Sequence, residues 1–175
     1  MAAPDGRFAP LPDGRFAPLL AAIADDEDEL ISTLIELSEI NSGSFNVDGV
    51  NACVGALASL LLNLEADSTE LLDVEPMLQV SDEGVSGSVP LGRALRLRKH
   101  VDAPIQVGLV GHADTVFAQD HSFQNVSQSD GRLNGPGVAD LKGGLVAAYR
   151  ALLALEASPW ASKIGWELLI NPDEE

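Results

Sequence analysis

IQVGLV at residues 105–110 and IGWELLI at residues 164–170 are two short apolar runs, and KGGLVAAYRALLALE at residues 142–156 lies between them. Continuous apolar runs of this length are typical of strands that are buried on both faces of a sheet. The intervening segment is predicted to be a helix that ends at Ser158-Pro159, because a residue before proline disfavours helical backbone. A strand, a helix and a strand in this order predict a right-handed crossover between parallel strands.

Two more helices are predicted upstream of this unit. The acidic run DDEDE at residues 25–29 suits the first turn of a helix, and the apolar residues that follow it at helical spacing are Leu30, Leu34 and Leu37. The second helix is expected from about Asp48 to Leu64, with Cys53 beside its apolar face as a small core residue.

Further strands complete the predicted sheet. Leu95 and Leu97 alternate with arginines, which is the period-two pattern of a half-exposed strand. The five-residue link from His100 to Pro104 predicts that this strand pairs antiparallel with residues 105–110. Residues 71–80 are expected to form another strand, with an open register. The predicted fold class is therefore α/β, with a mixed, mainly parallel sheet flanked by helices.

Composition bounds the class of protein. The chain has 175 residues, which is enough for one ordinary domain or for part of a larger one. Its mean hydropathy of +0.12 is too high for a disordered chain, and a single cysteine excludes an internal disulfide framework. The formal charge of −17 argues against a nucleic-acid partner, which would require a basic face.

The sequence also bears on membranes and location. Its longest apolar runs, such as residues 60–62 and 107–110, are far shorter than a membrane span, so no membrane partner is expected. No secretory signal is recognisable at the start, and the cytoplasm is the expected location. The eight letters PDGRFAPL occur twice, at residues 4–11 and 12–19, and residues 1–20 are expected to form a flexible arm.

Residues with metal-binding and acid–base chemistry follow the two apolar strands. His112 and Asp114 come directly after the first strand, and Glu174 and Glu175 come directly after the second. Asp140 precedes the crossover helix and therefore lies at the same edge of the sheet, where α/β proteins bind their ligands. An imidazole and carboxylates suit Zn²⁺, and a carboxylate can bridge two ions. Cobalt and manganese are alternative ions for such donors.

Three motifs carry a resemblance to a known family. GHADTV at residues 111–116, GPGVADLKGG at residues 135–144 and NPDEE at residues 171–175 resemble those of the co-catalytic di-zinc exopeptidases and deacylases. These include glutamate carboxypeptidase, acetylornithine deacetylase, succinyl-diaminopimelate desuccinylase and aminoacylase. The residues of the motifs are most similar to those of the glutamate-carboxypeptidase-like branch. The resemblance implies a zinc-exopeptidase-like catalytic domain over residues 21–175.

The resemblance also implies a role for each matching residue. His112 would bind one zinc ion, Asp140 would bridge both ions, and Glu175 would bind the other. Asp114 would orient His112, and Glu174 would be the general base that activates water. The family has a cis peptide bond after the bridging aspartate, here between Asp140 and Leu141. Lys142, which follows this bond, is expected to be structural, and His100 and His121 lie outside the motifs.

The family's members continue beyond the third motif, to further zinc ligands and to a lid domain that often mediates dimers. This chain is therefore expected to be the N-terminal portion of such a catalytic domain, without the lid. The expected function is metal-dependent hydrolysis of amide bonds in small peptides or N-acyl amino acids. The alternative is a catalytically inactive fragment that binds metal weakly, or that needs a complementing second half or a second copy.

Overall fold

The computed structural model describes residues 17–24 and 26–175. Four α-helices are present in this part of the chain: α1 (Ala17–Ala24), α2 (Glu27–Ser38), α3 (Val47–Leu61) and α4 (Lys142–Glu156). Short 3₁₀ turns follow α3 at Leu62–Leu64 and precede the last strand at Ala161–Lys163. The predicted helices after the acidic run, over 48–64 and over 142–156, are confirmed.

The same described residues form eight strands: β1 (Ser68–Leu72), β2 (Met77–Val80), β3 (Ser86–Val89), β4 (Ala94–Lys99), β5 (Ile105–His112), β6 (Ser127–Ser129), β7 (Arg132–Asn134) and β8 (Ile164–Asn171). Four of them form the main sheet in the order β1-β4-β8-β5. The other four form two small hairpins, β2-β3 and β6-β7. The single strand predicted over residues 71–80 is wrong, because the chain leaves the main sheet after Leu72 and begins a separate hairpin at Met77.

The main sheet is mixed, as predicted, but only one of its three strand pairs is parallel. β5 and β8 are parallel, as the crossover through α4 requires, whereas β1 pairs with β4 and β4 pairs with β8 in antiparallel register. The description "mainly parallel" is therefore wrong. The predicted pairing of β4 with β5 is also wrong, since β8 lies between them and occupies an edge of each.

β5 is more exposed than its apolar sequence predicts. It is an edge strand, and 76% of the Val110 surface is exposed to solvent. Ile105 and Val107 are exposed as well. β8, with a partner on each side, has the buried pattern that was expected for both strands. The prediction of two fully buried strands is thus confirmed for β8 and wrong for β5, because no other described segment covers the free side of β5.

One hydrophobic core holds the sheet and the helices together. The inner face of the sheet contributes Leu95, Leu97, Trp166, Leu168 and Ile170. Helices α3 and α4 supply the opposing apolar residues, which are Val50, Cys53, Val54, Leu57, Leu61, Leu145, Val146, Tyr149 and Leu152. Burial raises the pKa of the Cys53 thiol, which agrees with its predicted place in the core. The other face of the sheet carries half-exposed ion pairs, such as that of Arg96 with Glu167.

The stretch Val47–Leu64 is long and apolar enough to satisfy a length-and-composition test for membrane crossing. Six of its side chains are buried in the hydrophobic core, namely Leu64 and the five α3 residues named above, which accounts for its apolar character. The duplicated octapeptide falls mainly on residues 4–16, which lie outside the described residues. Residues 17–20, which were included in the predicted arm, belong to helix α1.

Glu156 joins the end of α4 to the sheet through three donors. Its carboxylate accepts hydrogen bonds from Trp166 Nε1 at 2.9 Å and His100 Nε2 at 3.0 Å, and Lys99 Nζ lies 3.0 Å away. Burial raises the pKa of Glu156, but these donors outweigh burial, so its net pKa lies below the ordinary value of 4.5. The ionised form therefore stabilises the fold above pH 4.5, and this stabilisation is lost as the pH falls through the lowered pKa.

We expect Glu156→Gln to lower the free energy of unfolding by about 2 kcal/mol at neutral pH, because hydrogen bonds to a charged group are replaced by neutral ones. The difference from the wild type should shrink below pH 4.5, as the native carboxylate becomes protonated. Urea denaturation at several pH values measures this, with Glu36→Gln, an exposed position on α2, as the control. A difference that stays constant down to the acid limit would contradict this role for Glu156.

Candidate metal centre

His112 is the last residue of β5, and its imidazole is held from one side. The side chain is buried, with 5% of its surface exposed. Its Nδ1 atom lies 3.2 Å from the main-chain oxygen of Asp114 and 3.3 Å from the Asp114 carboxylate. In the neutral ring a proton on Nδ1 satisfies this hydrogen bond and leaves the lone pair of Nε2 for a ligand, which is the usual arrangement of metal-binding histidines.

Three carboxylates surround the Nε2 atom. It lies 3.1 Å from Asp140 Oδ1 and 3.8 Å from Glu174 Oε2. His112, Asp140 and Glu175 each offer one ligand atom, and these atoms lie within 4.8 Å of one another. Asp140 is 73% exposed at its side chain and Glu174 is 61% exposed, so both carboxylates are open to a ligand. The structure therefore brings together the residues that the motifs singled out.

Asp114 is fully buried and is hydrogen-bonded to the segment that carries Glu174 and Glu175. Its carboxylate accepts hydrogen bonds from the main-chain N–H groups of Glu174 and Glu175, each at 3.1 Å, and from the hydroxyl of Ser44 at 2.7 Å. Its main-chain oxygen is the atom that bonds to His112. Asp114 thus contacts both strand ends that carry the candidate ligands, which is more than the predicted orientation of His112.

The carboxylates change the protonation of His112. Burial lowers the pKa of this imidazole, but the hydrogen bond to Asp140 and the negative charges of Asp114 and Glu174 outweigh burial. The net pKa of His112 is therefore raised above 6.5. A metal ion binds the neutral imidazole, so the raised pKa means that protons compete with a metal ion for this group.

The loop that carries Asp140 is anchored by Lys142 and by a glycine. Gly137 adopts a positive φ of 70°, and its carbonyl oxygen accepts a hydrogen bond from the Lys142 N–H at 2.8 Å. The buried Lys142 ammonium donates to the carbonyl oxygens of Leu37 and Ile40, at 2.9 and 2.8 Å. The peptide bond between Asp140 and Leu141 is cis, as the resemblance implies. Lys142 is therefore structural, as predicted.

The two remaining histidines lie elsewhere. His100 contacts Glu156 at the opposite end of β8, and His121 Nδ1 accepts a hydrogen bond from the Phe123 N–H. The segment that sequence reasoning missed is Asn41–Asn46, between α2 and α3. Its run of small polar residues reads as a surface turn, yet Ser42 is buried and Ser44 contacts Asp114. The available signal for this segment was the pair of serines on either side of Gly43, between two predicted helices.

Two cavities adjoin the candidate ligands. The larger, of about 570 Å³, is bounded by His112, Asp140 and Glu174 together with apolar atoms of Val110, Leu141 and Leu169. The other, of about 400 Å³, lies on the side of Glu175 and is bounded by Ser44, Phe45 and Val116 among others. A small molecule therefore has access to the candidate ligands from either side.

The donor set fits a divalent metal ion. One imidazole nitrogen and two or three carboxylate oxygens are the ligands that zinc takes in catalytic sites, where three protein ligands leave a position for water. The hydrogen bond on Nδ1 fixes the tautomer that such binding requires. His112, Asp140 and Glu175 are the residues that would hold the metal, and the Glu174 carboxylate would lie beside it.

Comparisons with known proteins agree with this geometry. The model of Peptidase family M20/M25/M40 matches residues 108–175, which contain all three motifs. No curated protein matches the chain. Among solved structures, human carnosine dipeptidase 1 is 22% identical with a TM-score of 0.70, and it aligns over 94% of this chain and 36% of its own.

Two further structures have the same fold. The dipeptidase Dug1p from Saccharomyces cerevisiae is 16% identical with a TM-score of 0.70, over 89% of this chain and 34% of its own. The M20 family metallo-carboxypeptidase Sso-CP2 from Sulfolobus solfataricus is 18% identical with a TM-score of 0.61, over 83% of this chain and 31% of its own. This chain thus spans about a third of the length of these neighbours. The resemblance drawn from the three motifs agrees with this match, since residues 108–175, which contain them, are similar to peptidase family M20/M25/M40.

Proposed function

We propose that this chain supplies the first part of a zinc-dependent metallohydrolase centre that cleaves amide bonds of small peptides or N-acyl amino acids. The observation that carries the proposal is the convergence of His112 Nε2, Asp140 and Glu175 within 4.8 Å, at the edge of the sheet where β5 and β8 end. The family match over the same residues and the peptidase fold of the neighbours support it.

Each residue has a task that follows from its position. When bound, zinc would polarise the substrate carbonyl and lower the pKa of a water molecule. His112 would bind through Nε2, with its ring held by Asp114. Asp140 is exposed and has two carboxylate oxygens, so it can bridge two ions, and Glu175 would serve the second ion. The Glu174 carboxylate is close to the group and open to solvent, so it can accept a proton from water and return it to the leaving amine.

A second candidate is an inactive fragment that binds metal weakly. It is favoured by the extent of the match, about a third of the neighbours' length, and by the exposed apolar side chains of β5. A chain with such an edge would associate with a complementing segment or with a second copy, because unpaired strand edges accept further strands.

We expect the purified 175-residue chain to bind zinc, and both His112→Ala and Asp140→Ala to weaken binding by at least about 100-fold. The loss should exceed that caused by removing an outer partner of a ligand. Titration calorimetry and metal analysis measure the affinity and the number of ions. His121→Ala removes an exposed histidine outside the group and should leave the affinity unchanged.

Hydrolysis separates the two candidates. If the chain is active alone on small peptides or N-acyl amino acids, Glu174→Gln should keep zinc binding but lower the rate by about 10²- to 10⁴-fold, because proton transfer is removed. Zinc binding without hydrolysis favours the fragment. Absence of zinc binding in the wild-type chain, or equal binding in the His112→Ala variant, would overturn the metal centre.

A further inference from the structure

The segment between α2 and α3 lies against the strand end that carries His112 and Asp114. Gly43 forms a parallel bridge with Thr115, the Ser44 N–H donates to the Thr115 oxygen at 3.2 Å, and the Thr115 N–H donates to the Ser42 oxygen at 2.9 Å. A Cβ atom on Gly43 would lie 2.5 Å from the Phe117 oxygen, so only glycine permits this approach. The backbone thereby fixes where the side chains of Ser42 and Ser44 begin.

The two serines use their hydroxyl groups differently. Ser42 is fully buried, and its hydroxyl donates to the main-chain oxygen of Ala113 at 2.7 Å. Ser44 is buried as well, and its hydroxyl donates to Asp114 Oδ2 at 2.7 Å. A longer contact of 3.4 Å joins the Ser44 hydroxyl to the main-chain oxygen of Glu175. The single hydroxyl proton therefore serves the carboxylate, which is the nearer and more strongly charged acceptor.

The Asp114 carboxylate needs this donor because it has no exposed surface. A buried charge is tolerated only when hydrogen bonds replace the water that it has lost. Its Oδ2 atom accepts from Ser44 and from the Glu175 N–H, and its Oδ1 atom accepts from the Glu174 N–H. Ser44 and Glu175 thus share one oxygen, and the hydroxyl fixes the direction in which that oxygen faces the main chain of Glu175.

We infer that Ser44 is a positioning residue of the metal centre, acting through Asp114 on the placement of Glu174, Glu175 and His112. This inference rests on the proposed function for its consequence in metal binding, but the hydrogen bonds that carry it are independent of any metal. Ser44 approaches from a different part of the chain than the three motifs, so it links the helical half of the molecule to the centre. Removing its hydroxyl frees the carboxylate to turn and loosens both main-chain N–H groups.

The metal-free chain provides the first test. Amide hydrogen exchange of Glu174 and Glu175, measured by NMR, should be about 10-fold faster in Ser44→Ala than in the wild type, because a charge-assisted hydrogen bond network is weakened. Ser44→Thr retains a hydroxyl and should restore slow exchange. Ser42→Ala is the matched control, since it removes a buried serine hydroxyl from the same segment without touching Asp114, and it should leave these two amides within about twofold of the wild type.

Zinc affinity, measured by competition with a chelator, provides the second test. Ser44→Ala should bind zinc about 10-fold more weakly than the wild type, as expected for an outer partner of a ligand, whereas Ser44→Thr and Ser42→Ala should not. Unchanged exchange in Ser44→Ala, or equal effects of Ser44→Ala and Ser42→Ala, would overturn the positioning role. If neither the wild type nor any variant binds zinc, the proposed function fails. The exchange comparison still decides whether Ser44 positions Asp114.

Discussion

Replacing Lys142 with methionine is expected to lower the free energy of unfolding by about 3 kcal/mol. The Lys142 ammonium is buried and donates to the carbonyl oxygens of Leu37 and Ile40, where α2 ends. The Leu37 oxygen would keep a hydrogen bond from the Ile40 N–H, but the Ile40 oxygen would lose its bond to Lys142. A lost charge-assisted bond costs about 1.5–3 kcal/mol and an unpaired, partly buried carbonyl up to about 1–3 kcal/mol, and relief from burying the charge offsets part of this.

Burial lowers the pKa of Lys142, because the buried environment disfavours the charged ammonium. Methionine has a similar length and leaves no large cavity, so the effect reports the hydrogen bonds rather than packing. Lys163→Met, at an exposed lysine in the turn before β8, is the matched control and should change stability by less than about 0.5 kcal/mol. The measurement is the urea midpoint of both variants, and equal midpoints would show that Lys142 does not anchor α2.

Replacing Asp114 with alanine is expected to cost about 4 kcal/mol of stability and to weaken zinc binding by about 100-fold. The substitution leaves three donors without their carboxylate acceptor, namely the buried Ser44 hydroxyl and the partly buried N–H groups of Glu174 and Glu175. Each unpaired buried donor costs about 1–3 kcal/mol, and this total is reduced where water replaces the carboxylate. Zinc affinity falls because His112 and Glu175 lose the support that sets their positions.

Asp114→Asn distinguishes charge from shape in this network. The asparagine side chain has one accepting oxygen where aspartate has two. The free energy of unfolding of Asp114→Asn should therefore lie between those of the wild type and the alanine variant. Asp120→Ala removes an exposed aspartate from the neighbouring loop and should alter neither quantity. Urea denaturation and zinc titration of the three variants provide the comparison, and an alanine variant with wild-type affinity would exclude a supporting role for Asp114.

Local patterns in the sequence were sufficient to predict the elements that bear the candidate ligands. The helix over Lys142–Glu156 has the predicted bounds, and β5 and β8 are parallel because a crossover helix joins them. His112, Asp140 and Glu175 could be placed together because each lies at the same edge of that unit. The resemblance carried by the three motifs then supplied the proposed chemistry for these residues.

Long-range pairing was less predictable. A short link between β4 and β5 favours a hairpin, yet β8 pairs with both strands and keeps them apart. The apolar sequence of β5 predicts burial on both faces, whereas Val107 and Val110 are exposed because β5 is an edge strand among the described residues. Ser44 carries no periodicity and belongs to no motif, so its contact with Asp114 depends on a tertiary approach that local patterns do not encode.

The central place of β8 in the sheet has a consequence for the order of events on the ribosome. β4 and β5 are synthesised well before β8, which begins only at Ile164. Until then, the edge of β4 and the edge of β5 that pair with β8 have no partner strand. The edges of β4 and β5 that β8 later fills therefore remain unpaired while residues 113–163 are added. Exposed strand edges in such intermediates favour aggregation, so the stage of synthesis before β8 emerges is one at which this fold is open to misassembly.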